Sequence, residues 1–226
     1  MITTLLWDLD DTLLDFSAAE RAAIQKLFRE FGLGPCSEEM LRRYSEINRT
    51  YWGRLERGEL TKPALLVGRF REFFEGEQID SAIAEQFNEK YQLCLGDTIV
   101  YRDDSLDIVK SLRGRVKQYI VSNGTVTAQS KKLRRSGFGA LMDGIFLSEE
   151  LGAEKPSQAF FEKVFAALAP IDKTQVMIVG DSLSSDIQGG RSAGVITCWY
   201  NPNGKTADGP AADHMISDLH EIYRLL

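Results

Sequence analysis

The stretch Thr4-Leu5-Leu6-Trp7-Asp8-Leu9-Asp10-Asp11-Thr12 decides how this chain is read. Four uncharged residues, too few for a helix of their own, run straight into a cluster of acids and a threonine. This is the pattern of a buried strand whose C-terminal end opens onto a polar loop. Working outward, short β-branched or aliphatic runs recur at residues 118–121, 144–147, 176–179 and 195–200, with a weaker one at 214–216. Polar or glycine-rich turns and helical patterns alternate with them, which predicts an α/β fold with a parallel sheet.

Between the first strand and the second, strand signal nearly vanishes. Ser17-Ala18-Ala19-Glu20 reads as a capping box opening a helix with Ala23, Ile24, Leu27, Phe28 and Phe31 on one face, stopped by Gly32, Gly34 and Pro35. Met40, Leu41, Tyr44, Ile47, Tyr51, Trp52 and Leu55 form a second stripe. A third helix is expected from about Pro63, burying Leu66, Phe70, Phe73 and Phe74, and a fourth carries Ile79, Ile83, Phe87 and Tyr91. Four amphipathic helices predict a helical bundle at residues 16–95, inserted into a discontinuous sheet core formed by 1–15 and 96–226. The insertion follows the C-terminal end of the first strand, the edge where open parallel sheets bind ligands, so the bundle is expected to serve as a lid.

Composition narrows the chemistry. The 27 Lys and Arg against 33 Asp and Glu leave a net charge of −6, the wrong sign for a surface that coats nucleic acid. Lys131-Lys132-Leu133-Arg134-Arg135, the one basic run, reads as the solvated face of a helix. Cys36, Cys94 and Cys198 have no paired spacing and read as reduced thiols of a cytoplasmic protein. Two histidines, His214 and His220, are too few for an imidazole metal site, so a metal would be hard and oxygen-bound. No secretory leader or membrane span is expected.

Four polar clusters follow expected strands: Asp8-Leu9-Asp10-Asp11-Thr12, Ser122-Asn123-Gly124, Lys155-Pro156, and Gly180-Asp181 with Asp186. Alone, each reads first as a turn, a helix cap or an exposed loop, because such residues are common in turns. Together they converge on one edge of one sheet. In order and interval the set resembles the four signature motifs of the haloacid dehalogenase-like hydrolase superfamily, and the insert resembles that superfamily's C1-type cap on a Rossmann-like core.

The resemblance implies roles for these residues. Asp8 would be the nucleophile that forms an aspartyl-phosphate, and Asp10, beginning neutral, the acid and then the base. Asp8, Asp181 and the Asp10 backbone carbonyl would hold Mg2+, with Asp186 either completing the shell or holding the metal's waters. Lys155 and the metal would offset the charge of the carboxylates and a phosphate dianion. Ser122 would donate its hydroxyl to phosphate, the Asn123 and Gly124 amides would form a small anion nest, and Thr12 would steady the first loop. Asp11 is left structural.

Asp10 favours phosphomonoester hydrolysis over dehalogenation, because halide departs without a proton. Asn48-Arg49-Thr50-Tyr51-Trp52, Gly68-Arg69-Phe70 and Thr197-Cys198-Trp199-Tyr200-Asn201 are similar to the pyrimidine-nucleotide 5′-nucleotidase subfamily. That likeness implies a nucleoside 5′-monophosphate as the small-molecule partner, with Asn48, Trp52 and Arg69 as bundle contacts or as packed residues. A broad sugar-phosphate or phosphoglycolate phosphatase is the alternative. A phosphate-sensing regulator fits less well, since a base beside the acyl phosphate hastens its loss. Oligomeric state is left open.

Overall fold

In the computed structural model, which describes residues 1–206 and 209–226, the chain divides into two units: Met1–Phe16 with Ile99–Leu226, and Ser17–Thr98. The first unit is built on a six-stranded parallel sheet. Its strands are β1 (Thr4–Trp7), β2 (Lys117–Ser122), β3 (Gly144–Leu147), β4 (Val176–Gly180), β5 (Ile196–Tyr200) and β6 (His214–Ile216), in spatial order β3-β2-β1-β4-β5-β6. Thr4 pairs with Lys117 on one side and Val176 on the other, which makes β1 central and puts the topological switch between β1 and β4.

A central parallel strand is covered on both faces, so all four residues of β1 are buried rather than alternating. Leu5 and Trp7 join one core with Ile108, Val109 and Leu112 of α5 (Ser105–Leu112). Leu6 faces the other way, into a core with Phe160, Phe161 and Val164 of α8 (Gln158–Leu168). α6 (Val126–Ser136) follows β2; its cap Thr125 accepts from Ala128 N, and Gly137 ends it at φ 80°, a conformation that favours glycine. α7 (Ser148–Leu151) follows β3, and α9 (Gln188–Ala193) lies between β4 and β5.

The second unit is a bundle of α1 (Phe16–Glu30), α2 (Glu38–Glu56), α3 (Lys62–Gly76) and α4 (Ala84–Cys94), α1 starting one residue before the unit. Its core is aromatic: the ring of Phe70 lies 5.0 Å from Tyr44, 5.0 Å from Phe87 and 5.1 Å from Tyr91. Two local expectations are corrected here. The helix begins at Phe16, and Glu20 does not close a capping box with Ser17; its carboxylate is buried and accepts from Ser45 Oγ and Asn48 Nδ2. In α3 the fully buried leucine is Leu65, with Leu66 half-buried, because the phase of α3 places Leu65 a turn before Arg69 on the inward face. Among the described residues no helix is long and apolar enough to cross a membrane.

Candidate active site

The ends of β1 and β4 build the centre of the site. The Asp8 amide donates to Val179 O at 2.9 Å, carrying the sheet ladder one residue past β1 and fixing the direction of its side chain. Leu9 and Leu13 are fully buried and anchor the loop that follows. Both Asp8 oxygens are engaged: Oδ1 accepts from Lys155 Nζ at 2.8 Å and Oδ2 from Thr12 Oγ1 at 3.1 Å. Asp11, at φ 62°, accepts from the Phe16 amide and from Arg102, and so ties the loop to the start of α1.

After β4 the chain passes Asp181 and makes a single π-helical turn, Leu183–Ile187, that brings Asp186 back under the strand end. Such turns are concentrated at functional sites. Asp186 is fully buried, with Oδ1 2.6 Å from Lys155 Nζ and Oδ2 accepting from the Ser182 amide. A Cβ on Gly180 would lie 2.2 Å from Asp186 Oδ2, so glycine is what admits the carboxylate. Carboxylate oxygens of Asp8, Asp181 and Asp186 all lie within 4.8 Å of one another.

Lys155 is 1% exposed, and its ammonium donates to Asp8, Asp186 and Val121 O. Its backbone is clamped by one side chain: Asn123 Nδ2 donates to Lys155 O, and Lys155 N donates to Asn123 Oδ1, both at 2.9 Å. The Gly124 amide, expected in an anion nest, turns to Ser122 Oγ at 3.1 Å. The Asn123 side chain thus acts on the lysine.

Burial raises the Asp8 carboxyl to about 7 against the pull of Lys155, with Asp186 and Asp10 adding repulsion. Burial and the charges of Asp8, Asp11 and Asp186 lift Asp181 well above the usual carboxylate range. Burial opposes the Lys155 ammonium too, but Asp186 and Asp8 outweigh it and hold its pKa above the ordinary lysine value.

Asp10 stands apart from this triad. Its Oδ1 accepts from Lys132 Nζ at 2.6 Å and its Oδ2 from Gln129 Nε2 at 2.9 Å. The basic run is therefore not wholly a solvated face: Arg134 and Arg135 are exposed, but Lys132 is 2% exposed. Rotation of α6 against the sheet selects which of the four cations turns inward, and nothing local distinguishes Lys132 from its neighbours. Gln129 was likewise not singled out by the sequence, and Trp199, whose Nε1 donates to Asp181 O, was quoted only as part of a subfamily likeness, without a role at the site. One signal was available, since a helix opening directly after Ser122 must aim its first turns at the strand ends.

In the bundle, Asn48 and Arg69 are buried and joined to each other, and Arg69 also donates to Asn88. Trp52 is half-buried, while His214 and His220 are exposed.

The model of the haloacid dehalogenase-like hydrolase family matches residues 2–194. The chain is 36% identical over 226 residues to HAD-hydrolase YfnB of Bacillus subtilis (strain 168), covering 99% of this chain and 94% of that protein. It is 35% identical over 201 residues to pyrimidine 5′-nucleotidase PynA of Streptococcus pneumoniae (strain ATCC BAA-255 / R6), covering 88% and 84%. A crystal structure of Bacillus subtilis YfnB bound to magnesium superposes with a TM-score of 0.93 at 34% identity, over 100% of this chain and 98% of that one. With a sheet order, a strand-end carboxylate cluster and a family match that agree, the chain belongs to the haloacid dehalogenase-like hydrolases.

Proposed function

We propose that this hydrolase is a magnesium-dependent phosphomonoesterase that works through an aspartyl-phosphate on Asp8 and prefers pyrimidine nucleoside 5′-monophosphates. The observation that carries the reading is the meeting of Asp8, Asp181 and Asp186 around Lys155 at the switch point of the sheet. Three hard carboxylate donors against one ammonium leave room for two positive charges, which suits a divalent cation with oxygen ligands. Asp8, Asp181 and Asp186 would hold it, with the Asp10 backbone carbonyl added by family likeness. Bound there, magnesium supplies positive charge that lets a phosphate dianion approach three carboxylates.

The chain's own residues carry the chemistry. Thr12 and Lys155 fix the two Asp8 oxygens, so the nucleophile is oriented before substrate arrives. An Asp8 oxygen bonds to phosphorus as the bond from phosphorus to the ester oxygen breaks, and Asp10 gives that oxygen its proton. Water then attacks phosphorus, Asp10 takes a proton from it, and the bond to Asp8 breaks. Ser122 Oγ accepts from Gly124 N and Gln129 Nε2, which leaves its own proton for a phosphate oxygen.

Preference for pyrimidine nucleotides rests on the likeness to PynA. Selection of the leaving group falls to the Ser17–Thr98 unit, on the ground of its insertion directly after the Asp8 loop. Within it Trp52 keeps surface to offer a base, whereas Asn48 and Arg69 are engaged inside the bundle. The test is phosphate release from pyrimidine nucleotides, purine nucleotides and sugar phosphates, ranked by kcat/KM, with Asp8→Asn and chelator controls. Pyrimidine nucleotides should rank first, and both controls should be silent. Sugar phosphates ranking first would overturn the substrate class, and turnover by Asp8→Asn would overturn the nucleophile.

A further inference from the structure

Lys132 and Gln129 form a pair that the four signature motifs leave out. They sit three residues apart on one face of α6 and take both oxygens of Asp10. The burial is lopsided: the Lys132 side chain is 2% exposed while that of Asp10 is 25% exposed. An ion pair serving the core would bury both partners; here the cation is hidden and the carboxylate is presented. The ring of Phe16, 5.0 Å from Lys132 Nζ, covers the ammonium.

Gln129 is fully buried and its amide nitrogen also donates to Ser122 Oγ, while its Oε1 accepts nothing among the described residues. A buried amide with an unused acceptor lowers stability, so the geometry favours what its nitrogen holds. Gly124 adds to the pattern. A Cβ there would stand 2.2 Å from Gln129 Nε2, so the glycine of Ser122-Asn123-Gly124 clears the path by which Gln129 reaches Asp10.

We propose that Lys132 and Gln129 are positioning residues for the reaction: they lock the Asp10 carboxyl group in the one orientation from which it meets the leaving oxygen. The proposal rests on the reading of Asp10 as the proton donor. It deepens that reading by saying what aims the group, and it links Asp10 to Ser122 through the single nitrogen of Gln129.

Leaving groups supply the test. Thymidine 5′-monophosphate and phenyl phosphate need a proton at the departing oxygen, whereas p-nitrophenyl phosphate departs as a stabilised anion, and kcat/KM reports the step in which that bond breaks. Lys132→Met should lower kcat/KM about 100-fold for the first two and less than about 5-fold for p-nitrophenyl phosphate. Gln129→Leu should act in the same direction, and Lys132→Arg should restore most of the loss. Equal losses on all three substrates, or no loss, would overturn the proposal. Should Lys132→Met fail to fold, as judged by thermal unfolding, Gln129→Leu is held to the same criterion. Asp10→Asn separates the two readings. If it slows all substrates equally, the assignment of Asp10 as donor fails, and the positioning role with it. If it is selective but the Lys132 and Gln129 variants are not, the positioning role alone fails.

Discussion

Replacing Gly180 with alanine probes the centre of the site through packing alone. The φ of Gly180 is not in the left-handed region, so alanine brings no backbone strain, only a methyl group. That Cβ would lie 2.2 Å from Asp186 Oδ2, 2.3 Å from its Cγ and 2.6 Å from its Cβ. Ordinary contact needs about 3.5 Å, so Asp186 must retreat by about 1 Å. It has nowhere to go: it is fully buried and held by Lys155 on one oxygen and the Ser182 amide on the other. Overpacking of this kind costs about 1–3 kcal/mol, and losing the buried pair with Lys155 raises the cost toward about 3–5 kcal/mol. Taking about 3 kcal/mol, and about 2–4 °C per kcal/mol at this chain length, Tm should fall by about 6–12 °C.

Calorimetry on Gly180→Ala should therefore be run beside phosphate release, with Gly190→Ala as the control. A Cβ at position 190 meets Ile178 and Thr197 methyl groups at 2.5 and 2.9 Å, so its nearest contacts are apolar side-chain atoms rather than a carboxylate. Gly190→Ala should lose comparable stability but keep its kcat/KM below its melting range; Gly180→Ala should lose both. A Gly180→Ala protein that melts within about 1 °C of the parent and keeps its activity would refute the packing argument.

Three further outcomes are expected. Asn123→Ala removes both bonds to the Lys155 backbone and should cost about 2 kcal/mol, with a fall in kcat that exceeds any change in KM; urea unfolding and steady-state kinetics check it. Arg69→Met leaves the Asn48 oxygen without its donor inside the bundle, while Asn88 keeps Gln92, and should destabilise the protein by about 1–3 kcal/mol, visible as a lowered urea midpoint. Magnesium at about 100 times its Kd should add about 2.7 kcal/mol of stability, and Asp181→Asn should flatten that gain in a thermal titration.

Much of the fold was legible because parallel strands here are short, continuous apolar runs. Val121 and Ser122 mark the difference between what was read and what is formed, since β2 runs on to include Ser122 and starts one residue earlier, at Lys117. The structure brings Asp8, Asp181, Asp186 and Lys155 together because strand ends of one parallel sheet share an edge, and strand ends can be read locally. Lys132 could not be read that way. Its burial depends on how α6 rolls against the sheet, which is decided by Leu133 and Phe138 in the core rather than by the charges beside it. Glu20 failed for a related reason: a capping signal and a buried acceptor look identical until Ser45 and Asn48, on another helix, arrive to claim the carboxylate.

The central place of β1 sets a timetable for synthesis. Both of its neighbours lie far downstream, Lys117 opposite Thr4 on one edge and Val176 on the other. At about 5–20 residues per second, the ribosome leaves the first strand without its β4 partner for about 10–30 s. Until β2 has been made, Leu5, Leu6 and Trp7 have no sheet to enter, while the Ser17–Thr98 helices, whose contacts are local, are already complete in the emerging chain. The nascent protein thus carries a finished bundle behind an unpaired apolar strand, and the carboxylates at the end of that strand come together only once β4 has been made.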